Sequence, residues 1–279
     1  MSLLQSIWEV TWKSLAFIIV WAIPLALFIV PFQSQLKEAQ QTNPPLAQLY
    51  LEFTSAIAIV FAAFLLASLI DKRPFASLGF DPRHIFRDVA LGIAIGSFWL
   101  ATSVGILWLG GWALPQQSNP ISLSMLILGG IALLINVATQ EMLVRSYIFQ
   151  TIQTHFGVIA AIILSSLLFA AFHAGAIKDS WLAALNVLGA GVLFGVAYAV
   201  SRNLWLPIAI HFAWNFALGP VLGLSISGQN PFRVNWQFLK LDGPSLFTGG
   251  AFGLEGSIIV TATTIIAIIS MLWLYRQQL

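Results

Sequence analysis

Eight stretches of this chain are long enough, and free enough of charge, to cross about 30 Å of hydrocarbon at roughly 1.5 Å per residue. They lie near 8–31, 48–70, 89–112, 122–150, 157–175, 181–201, 204–223 and 256–275. Backbone in such an environment must satisfy its own hydrogen bonds, which favours helices. The pattern predicts an all-α integral membrane protein with about eight transmembrane helices in one bundle, a single polytopic domain over 1–279. Only 8% of the residues are Asp, Glu, Lys or Arg, where a soluble domain carries about 25%. The first run carries Glu9 and Lys13 and lacks a small-residue cleavage site, so it reads as a retained helix and not a signal peptide. A polar stretch from Gln33 to Gln48, broken at Pro44-Pro45, and a longer one from Ser225 to Glu255 with room for a short amphipathic piece, read as connections.

Charge and cysteine content remove several function classes. The net charge is +2 with no basic stripe, which argues against a nucleic-acid partner. The absence of Cys excludes disulfides, thiolate zinc sites and iron–sulfur clusters. With the N-terminus inside, Lys13, Lys72, Arg73, Arg83, Arg87, Arg145, Arg202 and Arg276 fall on the cytoplasmic side, against Lys37, Lys178, Arg233 and Lys240 outside. Eight to four favours both termini in the cytoplasm, and a bacterial plasma membrane is the expected location. Gly189, Gly191 and Gly195 on the sixth run have the spacing of a close helix contact, read as internal packing and not as a dimer seam. The sequence leaves the oligomeric state open.

Ionisable residues at membrane depth cost about 2.5–3.5 kcal/mol each on insertion scales and are usually paired or functional. Glu141 lies deep in the fourth run, in ATQEMLVRSYIF, with Arg145 one turn later on the same face. The two can form a structural ion pair or belong to a site. His173 ends the fifth run, and His211 and Asn215 share a face of the seventh. Either histidine alone could be a hydrogen-bonded interhelical contact. A reversal at Phe156-Gly157 would, however, put Glu141 and His173 at matched distances from the turn, so that carboxylate and imidazole face each other across a hairpin. In that arrangement Ser146 to His155 projects beyond the bilayer.

Two imidazoles, a carboxylate and a carboxamide supply a base, oxyanion donors and a positioning group, and no hydroxyl or thiol nucleophile is needed. Hydrolysis by activated water is the natural reaction, with His173 and a carboxylate on the water and His211 with Asn215 on the oxyanion. Glu141, His173 and His211 could instead hold zinc with an open position. They lack HExxH spacing, and no cofactor is expected to be required.

Three motifs carry a resemblance: Gln140-Glu141-Met-Leu-Val-Arg145, Phe169-Ala-Ala-Phe-His173 and His211-Phe-Ala-Trp-Asn215. In order and spacing they resemble the EExxxR, FxxxH and HxxxN motifs of the CPBP (Abi) family of intramembrane proteases, which includes the type II CAAX prenyl endopeptidases. RPFASLGF (73–80) and GVLFGVAYAVSRNLWLPIAIH (191–211) resemble that family's flanks, and the likeness covers about 70–220. It implies catalytic roles for Gln140, Glu141, Arg145, His173, His211 and Asn215, and a membrane-tethered or prenylated peptide as substrate. The chain departs from the family in having Gln140 where the leading Glu is thought to activate water. A silent member acting as a membrane scaffold or in immunity to a bacterial peptide is therefore the alternative. A proton-coupled transporter would be expected to show inverted repeats, which the sequence lacks.

Overall fold

The computed structural model describes residues 1–230 and 236–275; Arg233 and Arg276, both used in the charge count, lie outside them. The fold is all-α, and among the described residues the only sheet is a two-stranded one. Five helical stretches are long and apolar enough to cross a membrane: Leu3–Thr42, Pro44–Ile70, Pro82–Leu109, Leu123–Phe172 and Trp181–Ser201. The run at 204–223 becomes a twelve-residue helix continued by a π-helical turn, Ala217–Val221, and the last run is the shorter apolar helix Ile258–Leu274.

Helix α1 (Leu3–Ile29) starts on a capping box in which Ser2 and Gln5 bond reciprocally, satisfying two orphan N-terminal donors. The polar stretch after it is helical and not an open connection: α2 (Gln33–Thr42) carries few apolar residues and buries none. Asn43 caps the next helix and Pro44 occupies its first turn, where the missing N–H costs nothing. That helix, α3 (Pro44–Phe64), packs on α1 and on α5 (Leu123–Glu141).

Helix α4 (Ile85–Leu109) lies against α9 (Trp205–Phe216) at backbone distance. A Cβ at Gly92 would fall 2.4 Å from the Ala209 Cβ, and one at Gly96 2.4 Å from the Ile210 carbonyl oxygen. These glycines, one helical turn apart, set the position of the helix that carries His211. Gly96→Ala is expected to cost about 1–3 kcal/mol through overpacking and to lower the melting temperature. Gly105→Ala on the same helix meets no atom within 4 Å, so it should be neutral or stabilising. The glycines singled out on α8 (Trp181–Ser201) do pack internally: Gly191 lies against Ser166 and Gly195 against Ile162 of α6 (Tyr147–Phe172).

Gly157, at φ +83° and ψ +171°, interrupts α6, a backbone conformation open mainly to glycine. The reversal brings the Arg145 guanidinium over the Phe169 ring at 4.6 Å, so the expected hairpin forms. Its Ser146–Ile152 segment is covered by protein: Tyr147 stacks on Phe17, and Gln150 donates to the Tyr198 hydroxyl at 2.6 Å and the Ser77 carbonyl at 2.8 Å. The RPFASLGF segment ties to the α8–α9 turn, where the Gly79 carbonyl accepts from Leu204 N and the Asp81 carbonyl from Asn203 and Trp205.

The described residues of the connection before the final helix, α11 (Ile258–Leu274), hold a strand and a tight turn besides short helical pieces. Its strand β2 (Leu239–Leu241) pairs antiparallel with β1 (Ala113–Pro115), and a tight turn at Ser227-Gly228 joins Ile226 to Gln229.

Candidate active site

His173 stands just beyond the C-terminal end of α6, where helix carbonyls lack backbone partners. Its own N–H bonds to the Ala170 carbonyl, and the Phe169 carbonyl accepts from the ring Nδ1 at 2.8 Å. A carbonyl can only accept, so Nδ1 carries the proton, and in the neutral ring Nε2 is a bare acceptor.

Glu141 ends α5 and Arg145 sits in the π-helical turn Met142–Ser146 that follows. Both are fully buried. Glu141 Oε1 accepts from His211 Nδ1 at 2.9 Å, and Oε2 faces Arg145 Nη1 at 3.5 Å. Arg145 Nη2 donates to the Gly191 carbonyl at 2.9 Å. The Phe194 ring lies 5.8 Å from the guanidinium and is stacked on His211 at 4.6 Å. Glu141 therefore does not face His173 across the hairpin, as the matched distances suggested. Gln140, turned about 100° around the helix from Glu141, lines the same cavity as His173.

Gln140, His173, His211 and Asn215 line one cavity of about 400 Å³. Glu141 and Arg145 stand behind it. Arg145, wholly buried, is no loop charge, so it drops out of the topology count and leaves seven basic residues against four. Glu141, with both oxygens turned to His211 and Arg145, does not close a zinc triad with His173 and His211. Among the described residues no three His, Cys, Asp or Glu side chains gather as a metal site.

The cavity also holds groups that the motifs do not mark. Glu52, two turns into α3, accepts from Asn136 Nδ2 at 3.0 Å and from Gln48. Glu255, half-buried in the wall of the cavity, accepts from the Trp214 indole at 2.9 Å and from Ser227 N, while Asn186 donates to the Glu255 and Ser257 carbonyls, each at 2.8 Å. Glu52 had a readable signal, an acid among apolar residues past a helix start. Glu255 had none, because a long connection gives no register.

The cavity lies toward the end of the bundle that carries α2 and the 225–257 connection. Gln48 and Glu52 are in the first turns of α3, His173 follows the end of α6, and Ser227 and Gln229 close one wall. The basic loop from Asp71 to Asp88 is at the opposite end.

Burial holds the Glu255 carboxyl above its ordinary value, against Ser227 N–H, the Trp214 indole and His211, which favour the charged form. A carboxyl raised in the fold adds stability that is fully present below its unfolded pKa and is lost as pH rises through the folded one. The Ser227–Gln229 turn should thus hold most tightly in acid and loosen as pH climbs through that raised value. Amide exchange at 226–229 measures this, and Glu255→Gln should flatten the dependence.

His173 and His211 thus stand around one internal cavity of a helical bundle whose helices are long and apolar enough to cross a membrane. Residues 120–217, about a third of the chain, match the family model described as type II CAAX prenyl endopeptidase Rce1-like. The match spans all three motifs and supports a place for this segment in the CPBP (Abi) family. The curated proteins and the solved structures give no match.

Proposed function

We propose that the chain is an intramembrane endopeptidase that hydrolyses peptide bonds of membrane-associated or prenylated substrates. The observation that carries this reading is the convergence of a bare imidazole acceptor, a second imidazole backed by a carboxylate, and two carboxamides on one cavity. Water donates a hydrogen bond to His173 Nε2 and another to the Gln140 carbonyl oxygen, which is buried without a partner. As the water oxygen bonds to the scissile carbon, the carbonyl electrons move to oxygen. Asn215 donates to that oxyanion, and His211, oriented through Nδ1 by Glu141, stands beside it. Arg145 balances the Glu141 charge from behind. No resident metal or cofactor enters the scheme, so chelators should leave cleavage intact.

Glu52 and Asn215 make the cavity polar at membrane depth, and the eight apolar runs are read as eight crossings with both termini cytoplasmic in a bacterial plasma membrane. In that orientation the cavity is nearer the outer face. Substrate enters from the lipid or from outside, and a prenylated tail is cleaved only if it is presented there.

The test is a fluorogenic library of transmembrane and prenylated peptides offered to the reconstituted protein. Cleavage by the wild type, abolished in His173→Ala and in His211→Ala, supports the proposal. Cleavage unchanged in both variants would remove the site. A second reading, a silent scaffold or immunity protein of the same fold, is favoured by Gln140. It predicts no cleavage by the wild type and a gain on Gln140→Glu.

A further inference from the structure

The site contains a carboxamide where a base is needed, and a carboxylate from another helix lies within its hydrogen-bond chain. Gln140 Nε2 donates to Asn136 Oδ1 at 2.7 Å, and Asn136 Nδ2 donates to Glu52 Oε2 at 3.0 Å. The chain is polarised in one direction. Each amide N–H points toward Glu52, which leaves the Gln140 carbonyl oxygen buried as an unpartnered acceptor.

The carboxylate itself also borders the reaction space. Glu52, Asn136, Gln140 and His173 line the 400 Å³ cavity and, together, an adjoining one of about 240 Å³. Glu52 is 6% exposed and faces no cation within ion-pair distance among the described residues. Its two hydrogen-bond donors, Asn136 and Gln48, are neutral amides that give one bond to each oxygen. A carboxylate offers about four lone-pair positions, so both oxygens keep capacity for a water. An unpaired carboxylate at membrane depth is costly and calls for a reason, and Asn136 and Gln48 stabilise it without neutralising it.

We propose that Glu52 is the proton acceptor of this site, a carboxylate supplied by α3 that does the work Gln140 cannot. The inference rests on the peptidase reading above. Water held at His173 and Gln140 loses one proton to Glu52 while its oxygen bonds to the scissile carbonyl carbon. The oxyanion forms opposite His211 and Asn215. When the carbonyl re-forms and the C–N bond breaks, Glu52 returns that proton to the departing nitrogen. The products are a carboxylic acid and an amine, and the site ends as it began.

The experiment compares four full-length proteins reconstituted in liposomes with the same fluorogenic peptide library: wild type, Glu52→Gln, Gln140→Glu/Glu52→Gln, and His173→Ala. Loss of a general base costs a factor of about 10² to 10⁴, so Glu52→Gln should fall at least that far. Placing a carboxylate at 140 in the double variant should restore cleavage to within about tenfold of the wild type, on the same scale of base catalysis. A merely structural Glu52 would not be rescued from another helix, so loss without rescue overturns the proposal. Cleavage that survives Glu52→Gln but is lost in His173→Ala overturns it too and leaves the peptidase reading standing. Absence of cleavage by the wild type, with a gain in the double variant, removes both in favour of the silent scaffold.

Discussion

Replacing His173 by alanine should lower kcat/KM for a cleaved membrane peptide by a factor of about 10² to 10⁴, with little change in melting temperature. The ring's one direct hydrogen bond goes to the Phe169 carbonyl at a helix end, and its other edge faces the cavity. Losing that bond leaves a carbonyl that cavity water can satisfy, so the fold tolerates the change. What disappears is the acceptor that holds the attacking water. His173→Gln, which keeps an acceptor of similar reach, should recover part of the loss. A full melting curve beside the steady-state kinetics separates the two effects.

Arg145→Ala should act on the fold first. Arg145 and Glu141 are both wholly buried, and the guanidinium also covers Phe169 and bonds the Gly191 carbonyl. Removing one partner of a buried ion pair costs about 3–5 kcal/mol, because the remaining charge is left uncompensated. The double variant Arg145→Met/Glu141→Gln should recover much of that stability. It should not recover cleavage, since His211 would lack the carboxylate that orients its ring through Nδ1. Thermal unfolding of the single and double variants in detergent, with cleavage measured alongside, tests both halves.

Much of this site was legible in the residues because helices carry register. Glycine at 157 predicted a reversal, and the equal distances of 141 and 173 from it predicted neighbours. The carboxylate expected opposite His173 turns to His211 instead, and Gln140, one position earlier, lines the same cavity as His173. A 100° step separates those two positions, and the π-helical turn at Met142–Ser146 alters helical phase in a way hydropathy does not report. Glu52 went unread for a different reason. It lies outside the three motifs, and what makes it informative is its contact with Asn136, eighty-four positions away in the chain. Gly92 and Gly96 looked like ordinary glycines in an apolar helix until α9 was seen against them. The 225–257 connection had no periodicity to read, and its contribution, Glu255 in the cavity wall, comes from a turn and a half-buried carboxyl.

Hydrolysis by water at the His173–His211 cavity leaves a mark that other chemistries do not. Cleavage of a membrane peptide by the reconstituted protein in H₂¹⁸O, read by mass spectrometry, should place one heavy oxygen in the new carboxyl-terminal product and none in the amine product. That labelled product should vanish in His173→Ala and in His211→Ala. Product formed equally by both variants, or no labelled product from the wild type and none from Gln140→Glu, would contradict the assignment of this cavity as a peptidase site.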